Sequence, residues 1–342
     1  MTSGPVVVYG ATGHTGRFVV AELLDRGLPV VAAGRDPARL EALAEGREGV
    51  TVRPATVDDA ASLDRALAGA AAVVNCAGPF AITAGPVVGA ALRAGVPYVD
   101  VAAEIEANLA MFADHGDDAR AVGVPVVPAM AFFGGLGDLL ATAALGGRTV
   151  ADDVHVAYGL SSWRPTEGTR AAGRVSHDRR GGRRVRFAGG ALEYHDDPPS
   201  AVEWDFPEPW GRRTMVAGFT MADVVTVPSH IRVGDVRTSM SAEAARDLAD
   251  PDTPAPEAAD ARGRSDQTFV VDVVVTADGV ERRATASGQD IYAVTAPLAV
   301  EAVQRVLDGR VRATGVVSAG AAFDAAAFLR ALSPHVVVDL PT

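Results

Sequence analysis

The residue types with the clearest chemical use form a glycine-spaced turn, Gly10-Ala11-Thr12-Gly13-His14-Thr15-Gly16-Arg17. It lies between the apolar run 6–9 and a helical pattern that begins at Phe18. A buried strand that passes through glycines into a helix brings unpaired backbone N–H groups and the positive end of the helix dipole to one point. Because this arrangement suits a pyrophosphate, the turn predicts a dinucleotide site. We expect that site to be formed by Gly10, Thr12, Gly13, His14, Thr15, Gly16 and Arg17.

The end of the second strand indicates which dinucleotide is bound. A cation there suits the 2′-phosphate of NADP, whereas an acidic residue suits the ribose hydroxyls of NAD. Arg35 occupies this position, so NADP is favoured. Arg17 is either a second cation for the phosphate or a solvated residue of the first helical turn. Asp36 fits the cap of the next helix, and Asp58 either approaches the adenine or is a cap or loop carboxylate.

The fourth strand ends in small residues, Cys76-Ala77-Gly78-Pro79. Small side chains at this point of a doubly wound sheet let the backbone approach the nicotinamide and its ribose. We therefore expect these residues to complete the cofactor site. The Cys76 side chain is interpreted as a small buried hydrophobe rather than a catalytic thiol, because no partner residue is identifiable.

Three residues are candidates for proton handling. Tyr98 and Glu104 lie on and just beyond the fifth strand, whose carboxyl end faces the expected crevice, and His230 comes from the second half of the chain. Each has a plain structural alternative. Tyr98 fits a core residue, Glu104 a helix cap and His230 a loop residue with satisfied hydrogen bonds.

Composition limits the classes of function. The net charge of -12 disfavours binding to nucleic acids or anionic membranes, which would repel the chain. The sequence contains no lysine, which excludes Schiff-base chemistry and the Tyr-x-x-x-Lys pair of short-chain dehydrogenases. Cys76 is the single cysteine, so no intrachain disulfide forms, and no metal-ligand spacing is visible. We expect a cytoplasmic protein without an export signal.

The first part of the chain alternates apolar strands with helices, which predicts a doubly wound parallel sheet of order 3-2-1-4-5-6. The predicted strands are 6–9, 30–33, 50–52, 72–76, 98–101 and 124–127, and the predicted helices are 18–26, 37–44, 60–68, 85–94 and 107–122.

The second part of the chain predicts an α+β layer in which strands alternate with turn residues. The strands are 154–160, 185–187, 214–218, 231–240, 268–277 and 280–287; segments 180–183 and 277–279 are predicted hairpin turns, 249–265 a loop, and 291–308 and 325–332 helices.

A basic cluster stands out in this acidic chain. Its members are Arg164, Arg170, Arg174, Arg179, Arg180, Arg183, Arg184 and Arg186. The cluster is either a solvated surface or a port for an anionic group such as a phosphopantetheine arm, a coenzyme A tail or an acidic carrier protein.

The first part of the chain resembles the saccharopine dehydrogenase-like oxidoreductases, especially the trans-acting enoyl reductases. Four segments carry the resemblance: the glycine turn, the strand end Ala33-Gly34-Arg35-Asp36, the turn 75–80 and the segment 95–104. The resemblance implies a Rossmann-type α/β domain, residues 1–130 plus 290–342, with an inserted α+β domain of mostly antiparallel sheet, residues 131–289, for substrate and dimer contacts. The family-like Gly-Phe-Asp run is replaced by segment 131–138, which leaves the substrate open.

These observations predict an NADPH-dependent reductase that transfers hydride to an enoyl C=C bond of a biosynthetic intermediate. The substrate is expected to be a small molecule or carrier-linked, the protein to be a homodimer, and nucleic acids and membranes not to be partners. An imine reductase of saccharopine type is the alternative reaction. A non-catalytic NADP-binding sensor is the alternative class of function.

Overall fold

The computed structural model describes residues 4–341 and contains two β-sheets with helices packed on and between them. The strands are β1 (Val6–Tyr9), β2 (Val30–Gly34), β3 (Val50–Pro54), β4 (Ala72–Asn75), β5 (Tyr98–Asp100), β6 (Pro125–Val127), β7 (Val150–Leu160), β8 (Arg184–Ala188), β9 (Ala191–His195), β10 (Ser200–Asp205), β11 (Arg212–Ala217), β12 (Arg232–Ser241), β13 (Thr268–Ala277), β14 (Val280–Gln289), β15 (Gly315–Val316) and β16 (Val336–Asp339). The helices are α1 (His14–Asp25), α2 (Pro37–Ala44), α3 (Ala60–Leu67), α4 (Phe80–Ala94), α5 (Ile105–Val122), α6 (Gly137–Leu145), α7 (Glu167–Arg179), α8 (Asp223–Thr226), α9 (Ala242–Ala249), α10 (Thr295–Leu307), α11 (Ala319–Ala322) and α12 (Ala325–Ala331).

The first sheet is parallel and has the order β15-β6-β5-β4-β1-β2-β3. The predicted order 3-2-1-4-5-6 is therefore confirmed and is extended by β15. Strands β1, β2 and β4 are buried along their whole length because helices cover both faces of the sheet. All carboxyl ends of these strands meet at one edge, which is where the glycine turn lies.

The second sheet has the order β10-β11-β12-β7-β13-β14-β16, and β8 pairs with both β12 and β9. Its pairings are antiparallel except for β12 with β7, which confirms the expected, mostly antiparallel sheet. The turn at Asp278-Gly279 joins β13 to β14 as a hairpin, and both residues have the positive φ that such a turn requires.

Three predictions about the second half were wrong or incomplete. Segment 180–183 joins helix α7 to β8 and is not a hairpin turn, because the residues before it are helical rather than extended. Helix α7 and strands β9 and β10 were not predicted. The carboxyl-terminal segment divides between the sheets: β15 pairs with β6, whereas β16 pairs with β14.

Helix α10 joins the carboxyl-terminal segment to the layer of the first sheet. It packs on α1, and the Glu301 carboxylate lies 2.8 Å from the Arg26 guanidinium and 2.7 Å from that of Arg305. The side chains of Glu301 and Arg305 are both buried, so each charge depends on the other. Within residues 4–341, no helix is both long and apolar enough to cross a bilayer.

Candidate functional site

A cleft of about 1140 Å³ opens at the carboxyl edge of the first sheet. One wall consists of the glycine turn, the ends of β2 and β4 and the start of α5. The other wall comes from the second half of the chain, mainly from α7 and the residues just before α10. A doubly wound sheet binds its ligand at this edge, so the cleft is the candidate site.

The glycine turn leaves room and free donors for an anion. Among residues 4–341, the backbone N–H groups of His14, Thr15 and Gly16 have no hydrogen-bond acceptor. Gly10 has φ +83, and a Cβ on Gly16 would lie 2.2 Å from the Gly10 carbonyl oxygen, so the turn closes only with glycine at both positions. Free N–H groups at the amino end of α1 fit a pyrophosphate.

Three arginines lie at the same end of the cleft: Arg17, Arg35 and Arg39. Within the described chain, no carboxylate lies within ion-pair distance of any of them, whereas the cleft-lining Arg180 and the buried Arg305 each have a carboxylate partner. Unpaired guanidinium groups beside a dinucleotide turn fit the 2′-phosphate of NADP. Sequence analysis missed Arg39, although its place in the first turn of the helix after Arg35 was a usable signal.

The two nearby aspartates have different positions. Asp36 caps α2, and its Oδ1 accepts the Arg39 N–H at 3.2 Å, as predicted. Asp58 is exposed and does not line the cleft, while its neighbour Asp59 caps α3. The structure therefore favours the loop interpretation of Asp58 over contact with the adenine.

The predicted small-residue wall lines the cleft at Cys76, Ala77, Gly78 and Pro79. The Asn75 side-chain oxygen accepts the Ala77 N–H at 3.0 Å and fixes this turn. Burial, together with the charge of Asp100, raises the pKa of the Cys76 thiol well above its usual range. The thiol therefore stays neutral, which agrees with a packing role rather than a nucleophilic one.

Tyr98 does not reach the cleft. Its side chain is fully buried, and its hydroxyl donates to Asp100 Oδ2 at 2.9 Å and accepts from Asn75 Nδ2 at 3.2 Å. Burial raises the pKa of the phenol. The expected role in proton handling has no support here, because Tyr98 stands at the start of β5 rather than at its open carboxyl end.

Glu104 lines the cleft but acts as a helix cap. Its two carboxylate oxygens accept the backbone N–H groups of Phe80, at 2.8 Å, and Ala81, at 3.0 Å, at the amino end of α4. Burial raises the pKa of this carboxyl, although the two N–H donors oppose the shift. With both oxygens engaged, the carboxylate favours the structural alternative over proton transfer.

His230 lies outside the cleft lining. Its Nε2 is 2.6 Å from Asp138 Oδ1, and the other oxygen of Asp138 accepts the Gly320 N–H at 2.7 Å. Burial lowers the pKa of the imidazole, but the charge and hydrogen bond of Asp138 outweigh it and raise the pKa overall. The candidate proton donor thus pairs with a buried carboxylate of α6 from the turn that follows α8, and it is not offered to a ligand in the cleft.

Aromatic side chains line the part of the cleft beyond the nucleotide turn. Trp163 packs on Phe133, with 5.1 Å between ring centroids, and lies 6.0 Å from Phe219. Tyr292 contacts His14 edge to face at 5.2 Å, and burial lowers the pKa of that histidine. All five line the cleft, and Phe133, Trp163, Phe219 and Tyr292 make this part of it aromatic. Sequence analysis placed Tyr292 in a helix, but α10 begins after it, at Thr295.

Part of the basic cluster faces the cleft. Its cleft-lining members are Arg180, Arg183 and Arg184. Arg180 lies 3.4 Å from Glu106, and Arg184 donates to backbone carbonyls, so Arg183 is the member of this trio without a carboxylate or carbonyl of another segment as partner in residues 4–341. In the same residues, no group of acidic, histidine or cysteine side chains is arranged to hold a metal ion.

Residues 6–123 match the family model described as the saccharopine dehydrogenase NADP binding domain, which confirms the expected cofactor. A probable mitochondrial saccharopine dehydrogenase-like oxidoreductase of Arabidopsis thaliana is 34% identical over 142 residues, 37% of this chain and 31% of that protein. A saccharopine dehydrogenase-like oxidoreductase of Mus musculus is 29% identical over 145 residues, 37% of this chain and 34% of its own length.

The matched segment thus spans about a third of each relative. Apo saccharopine dehydrogenase (L-Glu forming) from Saccharomyces cerevisiae superposes with a TM-score of 0.67 at 14% identity, covering 99% of this chain and 100% of that one. This likeness extends the shared fold to both sheets.

Proposed function

We propose that the chain is a saccharopine dehydrogenase-like, NADPH-dependent reductase that acts on an enoyl C=C bond conjugated to a carbonyl group. The observation that carries the proposal is the division of one cleft into two unlike halves. Free backbone N–H groups and unpaired arginines occupy one half, and aromatic side chains occupy the other. A dinucleotide and an apolar acceptor are brought together by such a cleft.

The nucleotide half holds the cofactor through the chain's own groups. The N–H groups of His14, Thr15 and Gly16 bind the pyrophosphate, and Arg35 and Arg39 neutralise the 2′-phosphate. When bound, NADPH supplies a hydride, and reduction of the C=C bond takes one further proton, which comes from water. The small turn at Cys76–Pro79 lets the reacting groups approach each other.

The aromatic half orients the acceptor and excludes water. An enoyl thioester is uncharged at its reacting atoms, which suits contact with Trp163 and Phe133. The cation of Arg183, which has no carboxylate partner among residues 4–341, borders the same cleft and suits a phosphate of a coenzyme A or carrier-linked arm. We therefore propose a small-molecule or carrier-linked thioester as substrate.

An imine reductase of saccharopine type is the second candidate. The Arg183 guanidinium is equally suited to a carboxylate of an amino-acid-derived C=N compound. In that reaction the protonated imine nitrogen accepts the electrons, so the protein needs no donor to stabilise a developing negative charge.

The test is NADPH oxidation followed by absorbance. Crotonyl-CoA serves as the enoyl thioester, and mixtures of an amino acid with a 2-oxo acid or aldehyde serve as the imine panel. Turnover with the thioester supports the proposal, and turnover with the mixtures alone supports imine reduction. Tight NADPH binding without oxidation in either panel contradicts both and favours a sensor.

The assembly and location are also proposals. We propose a homodimer through the second sheet, and sedimentation velocity tests it: a monomer at micromolar concentration contradicts it.

We propose a cytoplasmic location, although one relative is named as a probable mitochondrial protein. Fractionation of cells that express the tagged protein tests the location.

A further inference from the structure

Three hydroxyl groups form a hydrogen-bonded chain on the aromatic side of the cleft. Tyr292 Oη lies 2.9 Å from Thr169 Oγ1, and Thr169 Oγ1 lies 3.0 Å from Thr166 Oγ1. All three residues line the cleft. We call them the hydroxyl triad. None of them was a candidate for chemistry in the sequence analysis.

The direction of the Tyr292 hydroxyl hydrogen follows from its partners. Its oxygen accepts the indole N–H of Trp163 at 3.1 Å and the backbone N–H of Thr166 at 3.2 Å. A phenol oxygen has room for two such donors, so its own hydrogen must be donated elsewhere. Among the described residues, Thr169 Oγ1 is the acceptor in reach. Tyr292 therefore donates to Thr169.

The two threonine hydroxyl groups then have two hydrogens but only one acceptor between them. Thr166 Oγ1 also accepts the Thr169 backbone N–H at 3.1 Å, so it caps α7. If Thr169 donates to Thr166, the Thr166 hydrogen has no acceptor in the described chain, and if Thr166 donates to Thr169, the Thr169 hydrogen has none. Either arrangement leaves one hydroxyl hydrogen free at the wall of the cleft.

We propose that this free hydrogen is donated to the carbonyl oxygen of the substrate, which makes Thr166 or Thr169 the catalytic residue and Tyr292 a positioning residue. The inference rests on the proposed enoyl reduction. As hydride adds to the β-carbon, the C=C electrons move towards the carbonyl oxygen and give an enolate. Water then protonates the α-carbon and the C=O bond reforms, while the threonine keeps its hydrogen.

The surroundings strengthen this hydrogen bond. Trp163 is buried and packs on Phe133, so the triad lies against an apolar surface where water competes weakly. Each donor in the chain also polarises the next one, from Trp163 through Tyr292 to the threonines. A fixed donor in such a place stabilises developing negative charge better than mobile water does.

The experiment removes both threonine hydroxyls and keeps their shape. Thr166→Val/Thr169→Val deletes both donors, and Thr166→Ser/Thr169→Ser is the matched control that retains them. Tyr292→Phe keeps both threonine hydroxyls and removes the polarising donor. Thermal unfolding and NADPH titration by fluorescence verify that each variant folds and binds cofactor as the parent does.

The first readout needs no turnover. p-Nitrophenol is titrated into the NADP complex, and its visible absorbance reports whether it binds as the phenolate. We expect the parent and the double serine variant to shift ionisation of the bound phenol to lower pH, because the free hydroxyl stabilises an oxyanion. The double valine variant should lose the shift. Absence of the shift in the parent, or its retention in the double valine variant, would overturn the inference.

The second readout is kcat with crotonyl-CoA. We expect a loss on the order of 100-fold for the double valine variant, about 10-fold for Tyr292→Phe and less than threefold for the double serine variant, with KM little changed. Equal kcat in the parent and the double valine variant would also overturn the inference. No turnover by the parent, combined with the phenolate shift, refutes the enoyl reaction and leaves the oxyanion donor supported.

Discussion

The two halves of the cleft are built in different ways. The nucleotide half uses consecutive residues and mostly backbone groups: Gly10, Gly16 and the N–H groups between them. The aromatic half uses side chains from segments far apart in sequence, such as Trp163 and Tyr292, which are joined by a hydrogen bond of 3.1 Å. Backbone geometry tolerates little change in the first half, whereas chemistry in the second half depends on which side chains meet.

The largest loss of NADPH affinity is expected for Gly16→Ala, where two backbone segments of the turn are in close contact. A Cβ there would lie 2.2 Å from the Gly10 carbonyl oxygen, so the turn must open. NADPH affinity should fall by at least about 1000-fold, equivalent to about 4 kcal/mol. Fluorescence titration with NADPH measures it.

Gly89→Ala is the matched control, because Gly89 is in the interior of α4 and its Cβ would meet nothing closer than 3.5 Å. It should leave NADPH binding unchanged and stabilise the fold by about 0.5–1 kcal/mol. If Gly16→Ala bound NADPH as tightly as Gly89→Ala, the backbone would not control the nucleotide half.

The same contrast explains what the sequence revealed. The glycine turn and Arg35 are local features, and the apolar runs of β1, β2 and β4 give the parallel sheet and its order. Tyr98 and His230 were chosen from position along the chain, but strand-end reasoning does not say where a side chain points. Tyr98 faces Asp100 inside the sheet layer, and His230 meets Asp138 through tertiary packing.

Contacts between distant segments carried no local signal. The hydroxyl triad joins the start of α7 to Tyr292, more than 120 residues later in the chain. Neither sequence segment alone indicates that its hydroxyl groups form hydrogen bonds with the other. Helix α7 itself is polar on most of its surface, so its apolar spacing is weak. The fold class was therefore predictable, while the aromatic half of the site was not.

Asp100 connects the two halves, and we expect its ionisation to make the folding stability depend on pH. Its Oδ1 accepts the N–H groups of Ala102, at 3.0 Å, and Ala129, at 2.9 Å, just before the chain crosses to the aromatic wall. Burial raises the pKa of this carboxyl from 3.8 to about 6. The folded state therefore holds the proton more tightly than the unfolded state, and folding stability is lost as pH rises from about 4 to 6.

Asp100→Asn keeps the accepting oxygen and removes this titration. Relative to the parent, the variant should gain on the order of 3 kcal/mol as pH rises through that window, at about 1.4 kcal/mol per pKa unit. Urea unfolding at pH 4, 5, 6 and 7 measures the difference, with Asp64→Asn, at an exposed aspartate, as control. Parallel stability profiles for Asp100→Asn and the parent would show that folding does not raise the pKa of Asp100.

A side-chain contribution to the nucleotide half is tested by Arg35→Glu. Reversing an unpaired cation beside the 2′-phosphate removes a charge-assisted hydrogen bond worth about 1.5–3 kcal/mol. The Kd for NADPH should rise about 10- to 100-fold, while the Kd for NADH, which lacks that phosphate, should stay within about twofold. Arg39→Glu should act in the same direction.

Arg47→Glu controls for net charge, since Arg47 is exposed near the end of α2 and does not line the cleft. It should change neither Kd. Equal losses of NADPH and NADH affinity in Arg35→Glu would mean that the arginine supports the turn and does not recognise the phosphate.

The smallest effect is expected at the rim of the aromatic half. Arg183 is exposed, lies over the Tyr194 ring at 5.1 Å and has no carboxylate within ion-pair distance among residues 4–341. Arg183→Gln should raise KM for crotonyl-CoA about two- to threefold at low salt, because the coenzyme carries phosphates. The difference should disappear at about 0.5 M salt, where the screening length is only a few ångströms.

Arg174→Gln separates a local contact from the general field. Arg174 lies on α7, the helix that precedes the turn containing Arg183. It is exposed and does not line the cleft, so its loss changes net charge equally. A salt-sensitive rise in KM for Arg183→Gln alone places the anionic arm along the cleft. Equal rises in KM for both variants would mean that the basic cluster attracts the substrate only through its overall positive charge. The position of the substrate would then depend on the aromatic wall and the hydroxyl triad.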